Sequence, residues 1–259
     1  MGAMSSTQSY EGVRHVVVDN FGDGSITVAP GLRPDFVEAS IDTSDDAVLE
    51  QIQVRHDREW LRISFPQQFF HHTKADLRLD VPDGLDYAIK TGSADISISA
   101  EIGRSKIVSG SGDITVGQAT DLECSTGSGD ISVARVDGNS TRLSSGSGSV
   151  SVDEVNGKLT AKSGSGDVAV KSLRGAALQA NSGSGDISVS ATSGPVDLRS
   201  ASGSLTVGIA DNLPAWLDLN SVSGDIRIGL ESTVQPEPGE PYITVRARTA
   251  SGDIAIYRA

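Results

Sequence analysis

The sequence predicts an all-β chain folded as a parallel β-solenoid, resembling a β-helix or β-roll, with rungs of about 18 residues and two short strands per rung. Three observations predict it. A phrase written most fully as Ser109-Gly110-Ser111-Gly112-Asp113-Ile114-Thr115-Val116 recurs nine times. Aligned on the Asp113 position, its copies fall at Asp95, Asp113, Asp130, Ser149, Asp167, Asp186, Ser204, Asp225 and Asp253, and the first seven are spaced by 17 to 19 residues. Finally, 29 glycines and only 4% aromatic residues, without a strong helical segment, give a turn-rich β composition.

Residues 1–12 read as a disordered N-terminus, with Met1 to Ala3 a cloning remnant ahead of Met4. Residues 13–259 read as a single solenoid domain. Its first strand pair is Val16 to Asp19 and Ile26 to Val28, joined by Phe21-Gly22-Asp23-Gly24-Ser25, a looser version of the phrase. Residues 30–66 break the period. Phe36, Ala39 and Ile41 sit on one strand. Ile52, Val54 and His56 alternate before Asp57-Arg58-Glu59 turns the chain into Leu61, Ile63 and Phe65, which predicts a hairpin. With Trp60 and four of the five phenylalanines between Phe36 and Phe70, this stretch is expected to form a bulky N-terminal cap. Adjacent His71 and His72, with Asp76 close by, could attract a metal. Neighbouring residues on a strand point to opposite faces, however, and no third spaced ligand follows, so an ordinary loop is the expectation. Ala75 to Val81 alternates cleanly and closes at Pro82-Asp83-Gly84. Residues 13–86 are thus irregular rungs and cap, and 87–259 are regular repeats with insertions at 211–216 and 231–241.

Strand alternation sorts each repeat into inside and outside. One and three places after the Asp position every residue is β-branched or Leu, from Ile96 and Ile98 to Ile254 and Ile256. Six places before it come Ile89, Ile107, Cys124, Leu143, Ala161, Ala180, Leu198, Leu219 and Ala247, the core face of a second sheet, and Cys124 is there a small core residue rather than a reactive thiol. Four places before it all nine residues carry a hydroxyl, from Thr91 and Ser109 to Thr249. These are expected to stack as a buried hydroxyl ladder. The Asp residue is expected to face solvent and cap its own turn.

The net charge of −13 disfavours nucleic acid, whose phosphates require clustered Lys and Arg, and disfavours anionic membrane surfaces. No run approaches the length of a membrane helix, so membrane insertion is not expected. The start lacks the apolar core of a signal peptide, which favours a cytoplasmic protein over an extracellular fragment. A lone Cys124 rules out an internal disulfide framework.

The run of a hydroxyl residue, Gly, Ser, Gly, Asp, an aliphatic residue and Ser-Val resembles the bacterial putative-adhesin family of β-strand repeat proteins, a domain of unknown function. The resemblance extends over Val18-Asp19-Asn20 with Gly22-Asp23-Gly24, Trp60-Leu61-Arg62-Ile63, Val81-Pro82-Asp83-Gly84-Leu85 and all the repeats. It implies a parallel β-solenoid and supplies no catalytic residues.

The expected function is therefore a non-enzymatic structural or interaction module with no cofactor. Its working surface is the flat, nearly uncharged outer face bearing Ser97, Thr115, Ser132, Ser151, Ser188 and Thr206. Its partner would be another protein or a second copy, met through that face or a terminal rung. The alternatives are a calcium-binding β-roll using Asp95, Asp113, Asp130, Asp167 and Asp186, and a polysaccharide-active enzyme using the same carboxylates. Calcium β-rolls carry Gly-Gly-x-Gly-x-Asp turns on both edges, whereas here one corner per rung has the phrase and Ser149 and Ser204 interrupt the column. The carboxylates also recur along the array instead of clustering once.

Overall fold

The computed structural model describes residues 4–43, 46–66, 74–138, 140–174, 177–191, 193–211, 213–231 and 242–259. The chain forms two compact units, Met1–Asp130 and Ile131–Ala259, and each is a parallel β-solenoid whose strands form two facing walls.

Unit 1 contains β1 (Met4–Glu11), β2 (His15–Phe21), β3 (Asp23–Pro30), β4 (Phe36–Thr43), one turn of helix α1 (Asp46–Leu49), β5 (Gln53–Asp57), β6 (Trp60–Ser64), β7 (Lys74–Val81), β8 (Asp86–Thr91), β9 (Asp95–Ser109) and β10 (Ile114–Thr126). One wall runs β5–β6–β2–β8 and continues into the second halves of β9 and β10. The other runs β1–β4–β7–β3 and continues into their first halves. The expected hairpin is β5–β6, antiparallel from Gln53↔Ser64 to Asp57↔Trp60. Leu61 and Ile63 on β6 are fully buried, whereas Val54 is only half-buried and His56 is exposed, so β5 protects an edge and adds little to the core. Phe36 lies on the opposite side of β4 from Ala39 and Ile41, with the Arg33 guanidinium 3.7 Å above its ring.

The expected disorder of residues 1–12 is corrected for the described part. Residues 4–11 form β1, antiparallel to β4 from Met4↔Thr43 to Glu11↔Phe36. Backbone pairing along an otherwise open edge holds this strand, so its polar composition gave no sign of it.

Unit 2 contains β11 (Ile131–Val136), β12 (Thr141–Ser145), β13 (Val150–Val155), β14 (Leu159–Ser163), β15 (Val168–Leu173), β16 (Leu178–Ser182), β17 (Ile187–Ala191), β18 (Val196–Ser200), β19 (Leu205–Ile209), β20 (Ala215–Ser221), β21 (Ile226–Ile228), β22 (Ile243–Thr249) and β23 (Ile254–Arg258). Trp216, assigned from sequence to an insertion, lies within β20. One wall is β11–β13–β15–β17–β19–β23–β21 and the other β12–β14–β16–β18–β22–β20, all parallel.

Spatial order departs from chain order in the last two rungs. The C-terminal rung, β22 and β23, is inserted between the β18–β19 rung and the β20–β21 rung. The insertion explains the two long repeat intervals of 21 and 28 residues. After β19 the chain must climb two rungs, about 10 Å, and after β21 it must return one.

The two predicted core columns are buried in every regular rung except one. Ile96, Ile114, Ile131, Val150, Val168, Ile187, Leu205 and Ile254 are at most 2% exposed, whereas Ile226 and Ile228 are 43% and 53% exposed. Leu217 and Leu219 of the same rung are half-buried. Among the described residues that rung stands at the end of the stack in space although not in sequence.

Glycine at the corner is required by the closeness of the neighbouring rung. A Cβ on Gly112 would lie 1.9 Å from the Ala94 carbonyl oxygen. Gly112→Ala is expected to lower unfolding free energy by about 2 kcal/mol, while Gly117→Ala, whose Cβ would meet nothing nearer than 3.4 Å, changes it little. Paired urea titrations check this. Cys124 packs in the core as the register predicts, and burial pushes its thiol pKa well above the ordinary range. A thiol reagent is expected to leave native protein unmodified and to label it at the rate of global unfolding.

Candidate interaction face

The repeated corner is a hydrogen-bonding device spanning two rungs. The hydroxyl four places before the Asp position accepts the backbone amide three residues on: Gly112 N to Ser109 Oγ at 2.9 Å, Gly166 to Ser163 at 2.9 Å, Gly185 to Ser182 at 2.9 Å and Gly203 to Ser200 at 2.8 Å. The same hydroxyl donates to a glycine carbonyl on the adjacent rung, as from Thr126 to Gly112 at 3.1 Å and from Ser163 to Gly148 at 2.8 Å. The expected hydroxyl-to-hydroxyl ladder is thus replaced by hydroxyl-to-backbone bridges. Thr91 Oγ1, in the first regular rung, is buried without a partner.

The Asp column has a related role, and the expectation that each Asp caps its own turn is corrected. Asp95 Oδ1 accepts the amide of Asp113 at 2.9 Å, Asp113 that of Asp130 at 2.8 Å, Asp167 that of Asp186 at 2.8 Å, Asp186 that of Ser204 at 2.8 Å and Asp253 that of Asp225 at 2.9 Å. The hydroxyl already serves the turn's own glycine amide, so the carboxylate is left for the next rung. Ser149 fills the same place with its hydroxyl, accepting from Asp167 at 3.2 Å, which explains why the column tolerates serine.

This arrangement commits one carboxylate oxygen of Asp95, Asp113, Asp167 and Asp186 to backbone. Among the described residues no group of three or more His, Cys, Asp and Glu side chains is placed to hold a metal ion. The His71–His72 candidate lies outside the described residues. Asp76, beside it in sequence, accepts a 2.6 Å bond from Ser25 Oγ.

Each unit has its own hydroxyl-bearing outer face. In unit 1 the register joins Ser97 to Thr115 on one side and to Thr27 on the other, and runs on through Arg78, Ser40 and Thr7. Ser97 and Thr115 are exposed, and Thr7 and Ser40 hydroxyls lie 3.2 Å apart. Sequence reasoning missed Thr7, Ser40 and Thr27. Thr27 was recoverable, since it follows Ile26 as Thr115 follows Ile114. In unit 2 the row runs Ser132, Ser151, Ala169, Ser188, Thr206 and Ala255. Here Ser188 is exposed, while Ser132, Ser151 and Thr206 are half-buried and the Ser132 and Ser151 hydroxyls meet at 3.0 Å.

The other outer face carries charge, paired as Lys106–Glu123 at 2.7 Å, Arg199–Asp197 at 3.0 Å and Arg246–Asp218 at 3.0 Å. Hydrogen bonds from Arg246 and Arg248 hold the Asp218 carboxyl pKa below its ordinary value. A cavity of about 330 Å³ in unit 1 is bordered by Arg14, His15, Asp35, Asp83 and Asp86. Its polar groups tie rungs together: Asp86 contacts His15 Nδ1 at 3.4 Å and accepts the Arg104 amide at 2.8 Å, and Asp83 accepts the Glu101 amide at 3.3 Å. Among the described residues no helix is long and apolar enough to cross a membrane.

A two-walled parallel stack with the same hydrogen-bonded corner in rung after rung defines a repeat scaffold, built from backbone-satisfying side chains. The chain belongs to the Toastrack DUF4097 family, whose model matches residues 43–257. No curated protein matches it. Among solved structures it is similar to a putative adhesin from Bacteroides fragilis NCTC 9343, with TM-score 0.50 and 17% identity over 98% of this chain and 97% of that one. It is also similar to a putative lipid binding protein from Parabacteroides distasonis ATCC 8503, with TM-score 0.52 and 15% identity over 97% and 96%. At these identities the likeness shows the fold.

If the Asp column serves backbone, Asp113→Asn, which keeps an acceptor oxygen, leaves stability nearly unchanged. Asp113→Ala, which strands the Asp130 amide, costs about 1 kcal/mol. Thermal melts of both variants check this, and neither calcium nor a chelator is expected to move the wild-type midpoint.

Proposed function

We propose that this protein is a non-enzymatic interaction module whose working surfaces are the flat, hydroxyl-bearing outer faces of its two units, carrying Ser97 and Thr115 in unit 1 and Ser132, Ser151, Ser188 and Thr206 in unit 2. The observation that carries the reading is the contrast between the columns. The carboxylates of Asp95, Asp113, Asp167 and Asp186 and the inner hydroxyls of Ser109, Ser163, Ser182 and Ser200 have backbone partners within the stack, whereas Ser97 and Thr115, on adjacent strands of unit 1, and Ser188 in unit 2 stand exposed. Short side chains on a sheet lose little conformational entropy when covered, which suits a broad contact with another macromolecule. The adhesin description of the Bacteroides fragilis relative supports the same reading.

Immobilised protein is expected to retain purified bacterial surface proteins or cells without turning over any acidic or neutral glycan. Ser97→Arg with Thr115→Arg, or Ser188→Arg, is expected to weaken retention at least tenfold, whereas Lys162→Glu on the charged face leaves it unchanged. Retention that ignores the face substitutions overturns the assignment of the surface. Glycan turnover that Asp130→Asn and Asp167→Asn abolish overturns the non-enzymatic reading.

A further inference from the structure

The rung of β20 and β21 is built like the interior rungs yet has a neighbour on one side only. Among the described residues β20 pairs with β22 alone and β21 with β23 alone. Its core-facing Ile226 and Ile228 are 43% and 53% exposed, and Trp216 on its outer side and Val222, the first residue past the end of β20, are 54% and 79% exposed. The edge strands of unit 1 differ. Both are antiparallel additions, and β5 carries Gln53, Arg55, His56 and Asp57, of the polar and charged kind that discourages further pairing. The β20 edge, Ala215-Trp216-Leu217-Asp218-Leu219-Asn220-Ser221, has no Lys, Pro or bulge, and its one charge, Asp218, is already held by Arg246 and Arg248 at 3.0 and 3.1 Å.

We propose that this open rung is a homodimer interface, in which β20 pairs edge to edge and antiparallel with β20 of a second copy about a two-fold axis at Leu219. The sequence of the edge selects the occupant. In that register Leu219 meets Leu219 of the second copy, Leu217 meets Ser221, Asp218 meets Asn220, and Trp216 meets Val222. The two most exposed apolar side chains of the rung therefore cover each other twice, and no like charges are opposed. The contact hydrogen-bonds backbone groups the edge leaves open and covers Ile226 and Ile228 across the end of the core. Local charge does not oppose it despite the net −13, because Asp218 has its arginines and Asp225 has Arg227 at 3.1 Å. The proposal rests on the interaction-module reading only in naming a second copy as one partner, and it uses none of the hydroxyl face.

The test is sedimentation velocity of the full chain across the micromolar range, with circular dichroism as the check on folding. Wild type is expected to dimerise. Asn220→Asp sets Asp218 against a second carboxylate twice and should weaken the dimer roughly threefold to tenfold, while Asn220→Lys tightens it by a similar factor. Trp216→Cys with Val222→Cys should give a covalent dimer on mild oxidation, and either single variant should not. Five steps along β20 and one into the corner separate the two positions by roughly 20 Å, too far for a bond within one chain. A folded protein that stays monomeric even as Asn220→Lys overturns the proposal, as does a dimer indifferent to both Asn220 substitutions. Loss of ligand retention with the dimer intact would strike at the hydroxyl face alone, and a monomer that still retains ligand strikes at this interface alone.

Discussion

The fold depends on the registration of one corner against the next. At the roughly 4.8 Å spacing of parallel strands, each corner brings polar backbone groups close to those of its neighbour, and those turned inward, such as the Gly112 amide, must be satisfied without water. The hydroxyl closes its own turn and reaches the glycine carbonyl on the adjacent rung. The carboxylate takes the next amide. Each bond contributes only about 1 kcal/mol, but the same set recurs rung after rung and fixes the strands that flank it. Ile or Val then enters the core at the same height in each layer because the corner has set its register. In such an array stability accumulates through nearest-neighbour terms, so a corner that cannot seat on its neighbour weakens the stack locally.

The exchanged order of the last two rungs shows what decides between layers that are otherwise equivalent. Both carry Ser-Gly-Asp-Ile at the corner and aliphatic residues inside, so neither the corner nor the core discriminates. The charged wall does. In the observed order Arg246 lies in register between Asp197 and Asp218. In chain order Asp197 would sit directly against Asp218. The observed order also sets Arg199 beside Arg248, but each has its own carboxylate, Asp197 at 3.0 Å and Asp218 at 3.1 Å. Arg258 adds a tether, donating to the carbonyls of Ala210 and Leu213 at 2.8 and 3.0 Å and so pinning the chain where it leaves β19.

This division explains what the sequence could disclose. The period, the wall assignments and nearly all core positions follow from alternation, which is local. The hairpin at β5–β6 was legible for the same reason. The strand at residues 4–11 was not, because edge pairing draws on backbone groups that every residue possesses. The partner of each Asp was misjudged because the nearest amide in sequence is already bonded to a hydroxyl three residues earlier. The rung exchange was hidden by assuming that chain order is spatial order. Its trace was present in the column Asp197, Asp218, Arg246, whose signs alternate only after reordering. Of the candidate face, Ser97, Thr115 and Ser188 stand exposed, whereas the half-burial of Ser132, Ser151 and Thr206 depends on neighbouring rungs that no single repeat reveals.

A stack of identical parallel rungs contains no instruction for stopping, so its ends need residues that break the pattern. Unit 1 supplies them by reversing the chain: β1 runs antiparallel to β4 and β5 to β6, which closes both walls with polar edge strands outside the repeat. Unit 2 stops on a rung that still follows the repeat, with its aliphatic residues in place and half uncovered. Reordering the last two layers did not remove that cost. It chose which layer bears it, burying the β-branched Ile243, Val245, Ile254 and Ile256 and leaving Leu217, Leu219, Ile226 and Ile228 at the boundary. In either order Asp218 keeps Arg246 beside it and Asp197 keeps Arg199, but only the observed order sets Arg246 rather than Asp218 against Asp197, so the charged wall favours it and the exposed apolar end accompanies it. The order of layers that the charged wall favours therefore also places Trp216 and Val222 on the surface, where an association between molecules can use them.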